Sequence, residues 1–541
     1  MRILLPAILL CCLSATTATA QSPEHFTGAN FSAASIAKTP RKIGLSLRSF
    51  QTMPSSYTLE PWCPTPGNQG NHGTCVAFAN GYGIGTILYA KQHNITNKSI
   101  IDKYAYSASY LYEKIKNADD KDCQKGTDPI RALWQMVDSG NALTKTVPYN
   151  CGSYISQQAK EEAPNYHLKD MSILFAAKGM LTVDTYVLSP QAAIEATKKA
   201  LLDGSPVSTG FFLPESFFHI TSDVWNTNPL DSLSDWKHKG HAMAVVGYDD
   251  NKAGGAFRVL NSWGTGWADH GFVWVRYNDF TKWCVLAMQV FGSDDTPVPD
   301  ELKPKPLPKP EPKPEPVPNP KPQPSPEPKP APIVTVLNGS VEFKLNTGED
   351  MPVTKISSRN LVVEEETAGA KEDLVAYTMI NSYNSGTKFR FYLNTATEAY
   401  IYAFATDLTG KVNRILPFDD LVSTHVGGNS TIAFPSDTKV IKMDDNKGTD
   451  YLLILFSKEK IDVNDLLTNM GKIRGGLSQK IITALGSKLV AKEKINYDPT
   501  RTAFQLQRKN TRNLSVTDDD TNTGDITTGT VVPLMVEIRH Q

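Results

Sequence analysis

The segment Gln69-Gly70-Asn71-His72-Gly73-Thr74-Cys75-Val76-Ala77-Phe78-Ala79 sets a glycine-bearing turn directly before an apolar helix, with a cysteine in the first helical turn. A thiolate there faces unpaired backbone N–H groups and the positive end of the helix dipole, which lowers its pKa and makes it a nucleophile. Gln69 can return its side-chain amide to the same point. That amide and the Cys75 backbone N–H would form an oxyanion hole, so the chemistry on offer is attack on a carbonyl through a covalent intermediate. The competing reading is an inert buried helix cysteine, since free cysteine is among the most buried residue types. Position alone does not choose between them.

Two further strings bear on the choice. Lys239-Gly240-His241-Ala242-Met243-Ala244-Val245-Val246-Gly247-Tyr248 puts a histidine at the start of an apolar strand. Further on, Asn261-Ser262-Trp263-Gly264-Thr265-Gly266-Trp267 follows another strand. Taken with the Cys75 segment, these strings resemble the papain family of cysteine peptidases, whose site is carried by Gln-Gly…Gly-x-Cys-x-Ala-Phe, His-Ala and Asn-Ser-Trp-Gly-x-Gly-Trp in that order. The resemblance covers residues 55–290 and is nearest to bacterial members with a short N-terminal extension. It implies that Cys75 attacks the scissile carbonyl while His241 takes its proton and later returns it to the leaving amine. It further implies that Asn261 accepts a hydrogen bond from the other imidazole nitrogen, that Trp263 shields that bond from water, and that Gln69 and the Cys75 N–H hold the oxyanion. Against these roles stand a structural histidine at 241 and an ordinary loop amide at 261.

The chain departs from the family pattern at several points. Val76 stands where a tryptophan usually follows the nucleophile, which removes cleft wall, and His72 stands where the family often has a bridging cysteine. Asp122-Cys123-Gln124-Lys125-Gly126 resembles the family's Cys-x-Gly-Gly stretch, whose last glycine, here Gly126, lets substrate backbone approach. By the same match Asp128 would lie near the second substrate subsite and favour polar or basic side chains there. It could equally cap the helix that starts at Pro129. His72, His219, His238 and His270 are expected outside the chemistry.

Five cysteines follow residue 20, and an odd number in an exported protein suggests paired structural cysteines with one free thiol. The resemblance makes Cys123–Cys151 a family bridge; Cys63 with Cys284 is then the remaining pair. No metal site and no cofactor are implied.

Positioning this site takes only part of 541 residues, and two domains with a connector are expected. Residues 1–20 read as an export signal, with Arg2, an apolar run from Ile3 to Leu13 and the small residues Ala18-Thr19-Ala20. That run is far shorter than the ~20 residues of a spanning helix. The protein is therefore expected to be secreted, periplasmic or on the cell surface, with no membrane insertion. Residues 21–50 form a short extension, too short for the long helical inhibitory propeptide of many relatives. Any latency must come from elsewhere, for instance from this segment lying in the cleft.

Residues 51–293 read as an α+β, papain-like two-lobed domain. Helical spacing runs over 73–94, 104–116, 129–139 and 190–202, and strands over 242–248, 256–260 and 271–277. Residues 294–332 are a proline-rich linker, whose run from Val298 to Pro332 should form a stiff polyproline-II spacer of roughly 100 Å at ~3.1 Å per residue; a partner for the proline tract is the less common use.

Residues 333–541 read as a mostly β, sandwich-like domain with strands at 388–393, 399–405, 412–416, 431–434, 451–456 and 531–538. Residues 375–470 resemble a β domain found on secreted bacterial peptidases and some kinases. The resemblance assigns that domain no chemistry, and a binding or targeting role follows by analogy. Asp518 to Asp525 is acidic enough to suggest calcium, but Thr530 replaces the distal Glu of a hand-type loop and a solvated loop is the plainer reading.

Lys and Arg number 55 against 56 Asp and Glu, so the whole chain offers no electrostatic case for nucleic acid or an anionic membrane. Protein or peptide substrates are implied, and the C-terminal domain would hold a protein or surface partner. The alternatives to an active peptidase are a catalytically silent papain-like fold used for recognition, and a peptidase that only trims its own chain.

Overall fold

The computed structural model describes residues 25–177, 186–232, 240–303, 337–356, 374–406, 411–506 and 529–541. The export signal, the proline run from 304, His238, the Gly410 turn and the acidic loop at 518–525 lie outside them. Among the described residues no helix is long and apolar enough to cross a membrane.

The first half is built on an antiparallel sheet whose central strands run in the order Leu168–Ala176, Cys284–Gly292, Val207–Phe212, Gly240–Asp249, Ala256–Leu260 and Phe272–Arg276. Gly240–Asp249 is buried along nearly its whole length because both faces are covered. The helical run beginning at Cys75 and the helix Pro190–Leu202 each pack on it. A strand covered on both faces reads as a continuous apolar run, which is what Ala242 to Val246 provide.

The helical run starts as Cys75–Ala77, widens into a π-helical stretch Phe78–Gly85 and returns to α geometry over Thr86–Gln92. Such π stretches recur at functional sites. The helix Pro129–Ser139 has the expected limits for local reasons: the Asp128 side chain accepts from the Ile130 N–H, proline opens the first turn, and Gly140 at φ +70° ends it.

The second half is two sheets face to face, with a core that includes Phe343 and Phe391 from one and Ile401, Ile454 and Leu534 from the other. Ala399–Thr406 shows why. Ala399, Ile401 and Ala403 face that core, while Tyr400, Tyr402 and Phe404 face the opposite side. There the helices Val463–Lys472 and Leu477–Leu485 cover them with Leu466, Met470 and Ile481. The domain is therefore a sandwich with a helical third layer.

Candidate active site

His241 is the second residue of Gly240–Asp249, and its Nε2 lies 2.7 Å from Asn261 Oδ1. The same oxygen accepts from the Ser262 backbone N–H at 2.8 Å. Asn261 therefore presents its oxygen to the ring, Nε2 carries the proton, and Nδ1 is left with its lone pair. That Nδ1 is buried and has no hydrogen-bond partner among the described residues. Trp263 covers the pair, its ring centroid 4.9 Å from that of His241.

Gln69 is fixed at both ends of its amide. Its Oε1 accepts from Ser262 Oγ at 2.6 Å and its Nε2 donates to the His72 carbonyl at 2.7 Å, so the NH2 group faces the turn that leads into Cys75. Ser262 thus ties the amide to the Asn261 loop, a role the sequence reading did not give it, although it stands inside the Asn-Ser-Trp string. His72 makes its contact with the Tyr149 hydroxyl at 3.2 Å.

Cys75 opens its helix and is fully buried. The backbone N–H groups of Ala242, Val76, Gly28 and Cys75 itself all favour its thiolate, but burial outweighs them and pushes the thiol up to about 12. Burial likewise pushes His241 down to about 4, against the pull of its bond to Asn261 and with added repulsion from His25. The expected low thiol pKa is thus reversed here, and burial favours the neutral form of both the thiol and the imidazole.

The chain's own N-terminal segment adds to that cover. His25 stacks on Trp263 at 4.4 Å with the rings 7° from parallel, and Trp263 Nε1 donates to the Phe26 carbonyl at 3.1 Å. Gly28 and Ala29 both donate to the Gly240 carbonyl, at 3.0 and 2.9 Å. Thr127 then donates to Gly28 and accepts from Asn30, each at 2.9 Å. Two glycines make room for this passage. A Cβ on Gly126, which sits at φ +69°, would overlap the Gly28 carbonyl, and one on Gly240 would overlap the Ala29 carbonyl. Gly126 therefore does admit a backbone, here that of residue 28.

The papain family cysteine protease profile matches residues 63–293. The chain carries a papain-family cysteine peptidase domain. It is 26% identical over 235 residues to cathepsin B-like CP3 of Giardia intestinalis, a stretch that takes in 43% of this chain and 70% of that one. Over 86 residues it is 36% identical to the uncharacterized peptidase C1-like protein L477 of Acanthamoeba polyphaga mimivirus, covering 16% of this chain and 26% of that one. Among solved structures, xylellain, a cysteine protease from Xylella fastidiosa, superposes with a TM-score of 0.39 at 18% identity, over 50% of this chain and 97% of that one. A second profile, a domain of unknown function (DUF4384), matches residues 382–460.

In this papain-family domain Asp128 caps its helix, and it also takes a hydrogen bond from the Ser35 side chain, while burial pushes its carboxyl up. Cys123 and Cys151 form a disulfide with their Cα atoms 5.9 Å apart. It staples the loop that leads to Gly126, and the Cys123 carbonyl accepts from the Gly73 N–H at 2.7 Å, tying that wall to the nucleophile turn.

The expected Cys63–Cys284 bridge is not there. Both are buried free thiols with separate partners, the Leu59 carbonyl for Cys63 and the Leu286 carbonyl for Cys284. Cys63 lies beside Lys98 and Glu60, whereas Cys284 sits at the start of a central strand facing Phe211. Buried cysteines in apolar surroundings are inert, so nothing drives them to pair. A protein lacking residues 1–20, unfolded without reductant, should therefore titrate three thiols (Cys63, Cys75 and Cys284) with a thiol reagent. A single reactive thiol would mean that the second bridge forms.

Proposed function

We propose that this chain is an exported peptidase that cuts peptide bonds through Cys75, His241 and Asn261, made in a covered form. The observation that carries it is the state of His241. Asn261 holds Nε2, so the free Nδ1 is the proton acceptor, and it belongs to the strand whose next residue, Ala242, directs its N–H at the Cys75 sulfur.

With the cleft open, Nδ1 takes the thiol proton and the sulfur adds to the substrate carbonyl. The oxygen, now negative, is received by the Gln69 amide and the Cys75 N–H. The imidazolium returns the proton to the leaving amine, and a water deprotonated at the same Nδ1 hydrolyses the thioester. Gly126 accommodates substrate backbone and Trp263 walls the leaving-group side.

Asp128 is spent on the helix cap and gives no strong preference at the second subsite, which a peptide panel varied there would contradict by favouring Lys or Arg. Residues 1–20 direct export and are removed, and the C-terminal domain serves binding or targeting.

A silent recognition fold is the rival reading. The two part in one experiment: full-length protein is treated with an epoxysuccinyl thiol-protease inhibitor at pH 5 and the adduct is mapped by mass spectrometry. We expect it on Cys75. An adduct on Cys63 or Cys284 alone, or none, removes the assignment.

A further inference from the structure

The segment that fills the cleft does not end there. After the helix Ala33–Lys38 it forms a strand, Arg41–Lys42, that lies parallel between Leu168–Ala176 of the peptidase domain and Val422–Ser423 of the C-terminal domain. Ile43 then enters the hydrophobic core of the C-terminal sandwich. The next turns are held almost wholly by that domain. Ser46 N–H and Leu47 N–H donate to the Thr431 carbonyl and the Asp437 carboxylate, each at 2.8 Å, and Ser46 Oγ donates to the same carboxylate at 2.8 Å. Arg48 pairs with Glu342 at 2.9 Å and lies 3.7 Å over the Tyr392 ring.

We propose that the C-terminal β domain is the clamp on this N-terminal strap, so that it governs whether the Cys75 cleft is open; this rests on the peptidase reading above. The two ends of the strap are held by unlike means. In the cleft Gly28, Ala29 and Asn30 are tied through backbone hydrogen bonds, with the His25 stack on Trp263 and the Phe31 edge on Phe212 to either side. At the other end a buried isoleucine, a charged pair, a stacked guanidinium and a shared carboxylate belong to this sequence alone. The C-terminal domain therefore adds a sequence-specific hold of its own to the one in the cleft.

Because both ends are on one chain, that hold keeps residues 25–31 at a high effective concentration over the cleft, in the millimolar range for short connections. Lys42 joins the three parts. Its ammonium, with the side chain only 7% exposed, meets Asp203 at 3.5 Å on the peptidase side. Asp203 is also paired with Lys199, whose Nζ donates to the Gly428 carbonyl of the C-terminal domain at 2.9 Å. A ligand that occupies the Asp437–Glu342 face would compete with the strap and open the cleft from a distance.

The test measures the rate of Cys75 alkylation by the epoxysuccinyl inhibitor at pH 7 in four full-length proteins. These are wild type, Asp437→Ala, Ile43→Asp, and a control in which residues 25–31 are replaced by a Gly/Ser stretch of equal length. Among the described residues Asp437 uses its side chain only on the strap, so its loss should leave the melting temperature of the C-terminal domain in place. Asp437→Ala should speed alkylation about tenfold or more over wild type, the factor expected when hydrogen bonds to a charged group are lost, and Ile43→Asp at least as much, because it sets a carboxylate where an apolar core holds the strap. Wild-type rates in both variants, with a fast Gly/Ser control, overturn the clamp and leave the peptidase intact. A control in which Cys75 also stays unreactive removes the peptidase reading, and the clamp with it.

Discussion

His241→Ala should lower kcat/KM for peptide hydrolysis by about 10⁴-fold or more in the opened enzyme, because the base and the nucleophile act as one unit. Among the described residues, the groups directed at the Cys75 sulfur are backbone N–H donors, which stabilise a thiolate but cannot take a proton. Asn261→Ala should cost far less, roughly 10- to 100-fold, since it removes the partner that fixes the ring but not the ring itself. The size order matters more than either figure. Equal losses from both substitutions would mean that Asn261 does more than orient His241. Steady-state kinetics on a fluorogenic peptide, with circular dichroism as a folding check, separates these outcomes.

Replacing residues 25–31 by a Gly/Ser stretch should raise the rate of Cys75 alkylation at pH 7 at least about tenfold. Under the strap the thiol sits at about 12, against an ordinary value of 9.0. Each pKa unit that opening gives back raises the thiolate fraction about tenfold, and the lower intrinsic nucleophilicity of a less basic thiolate takes back about half of that gain on a logarithmic scale. Relief of the steric block adds to it.

The same shifts set the pH at which the wild-type strap lets go. Burial holds His241 down to about 4 when covered, and opening relieves part of that burial, so the covered state binds fewer protons above that value and acid favours opening. Cys75 works from the other side: the covered state keeps its proton above 9, so alkali favours opening too. Docking should be tightest between these limits, and lowering the pH from 6.5 to 5 should promote opening. His25, whose imidazole burial also pushes down, would charge together with His241 and repel it across Trp263. Alkylation rates measured against pH, with the Gly/Ser protein as reference, would expose the shift. A flat ratio between the two proteins would refute it.

The sequence made the chemistry legible and the packing less so. The helices Pro129–Ser139 and Pro190–Leu202 appear within the limits expected, because each opens with a capping Asp or Ser followed by proline. Strands Leu168–Ala176, Val207–Phe212 and Cys284–Gly292 were not anticipated. They are buried on both faces and show no alternation to betray a sheet. The papain-like strings announced Cys75, His241 and Asn261, but not that burial would reverse the thiol pKa, since that depends on residues far away in the chain. A segment lying in the cleft could be imagined from the short extension. Its grip on the C-terminal domain could not, because Ile43, Ser46 and Arg48 carry no periodic pattern. The second disulfide failed for a related reason: an even number of spare cysteines says nothing about whether they meet.

The backbone from Gln51 to Ser56, just past the strap, is largely exposed and offers itself to cleavage. A nick there would sever the strap from the peptidase covalently while leaving every contact described above in place, so a two-chain species would purify together and still be idle. Maturation judged by a shift on a denaturing gel would then run ahead of activity, and the interval between the two would report how long the small fragment resides on its dock.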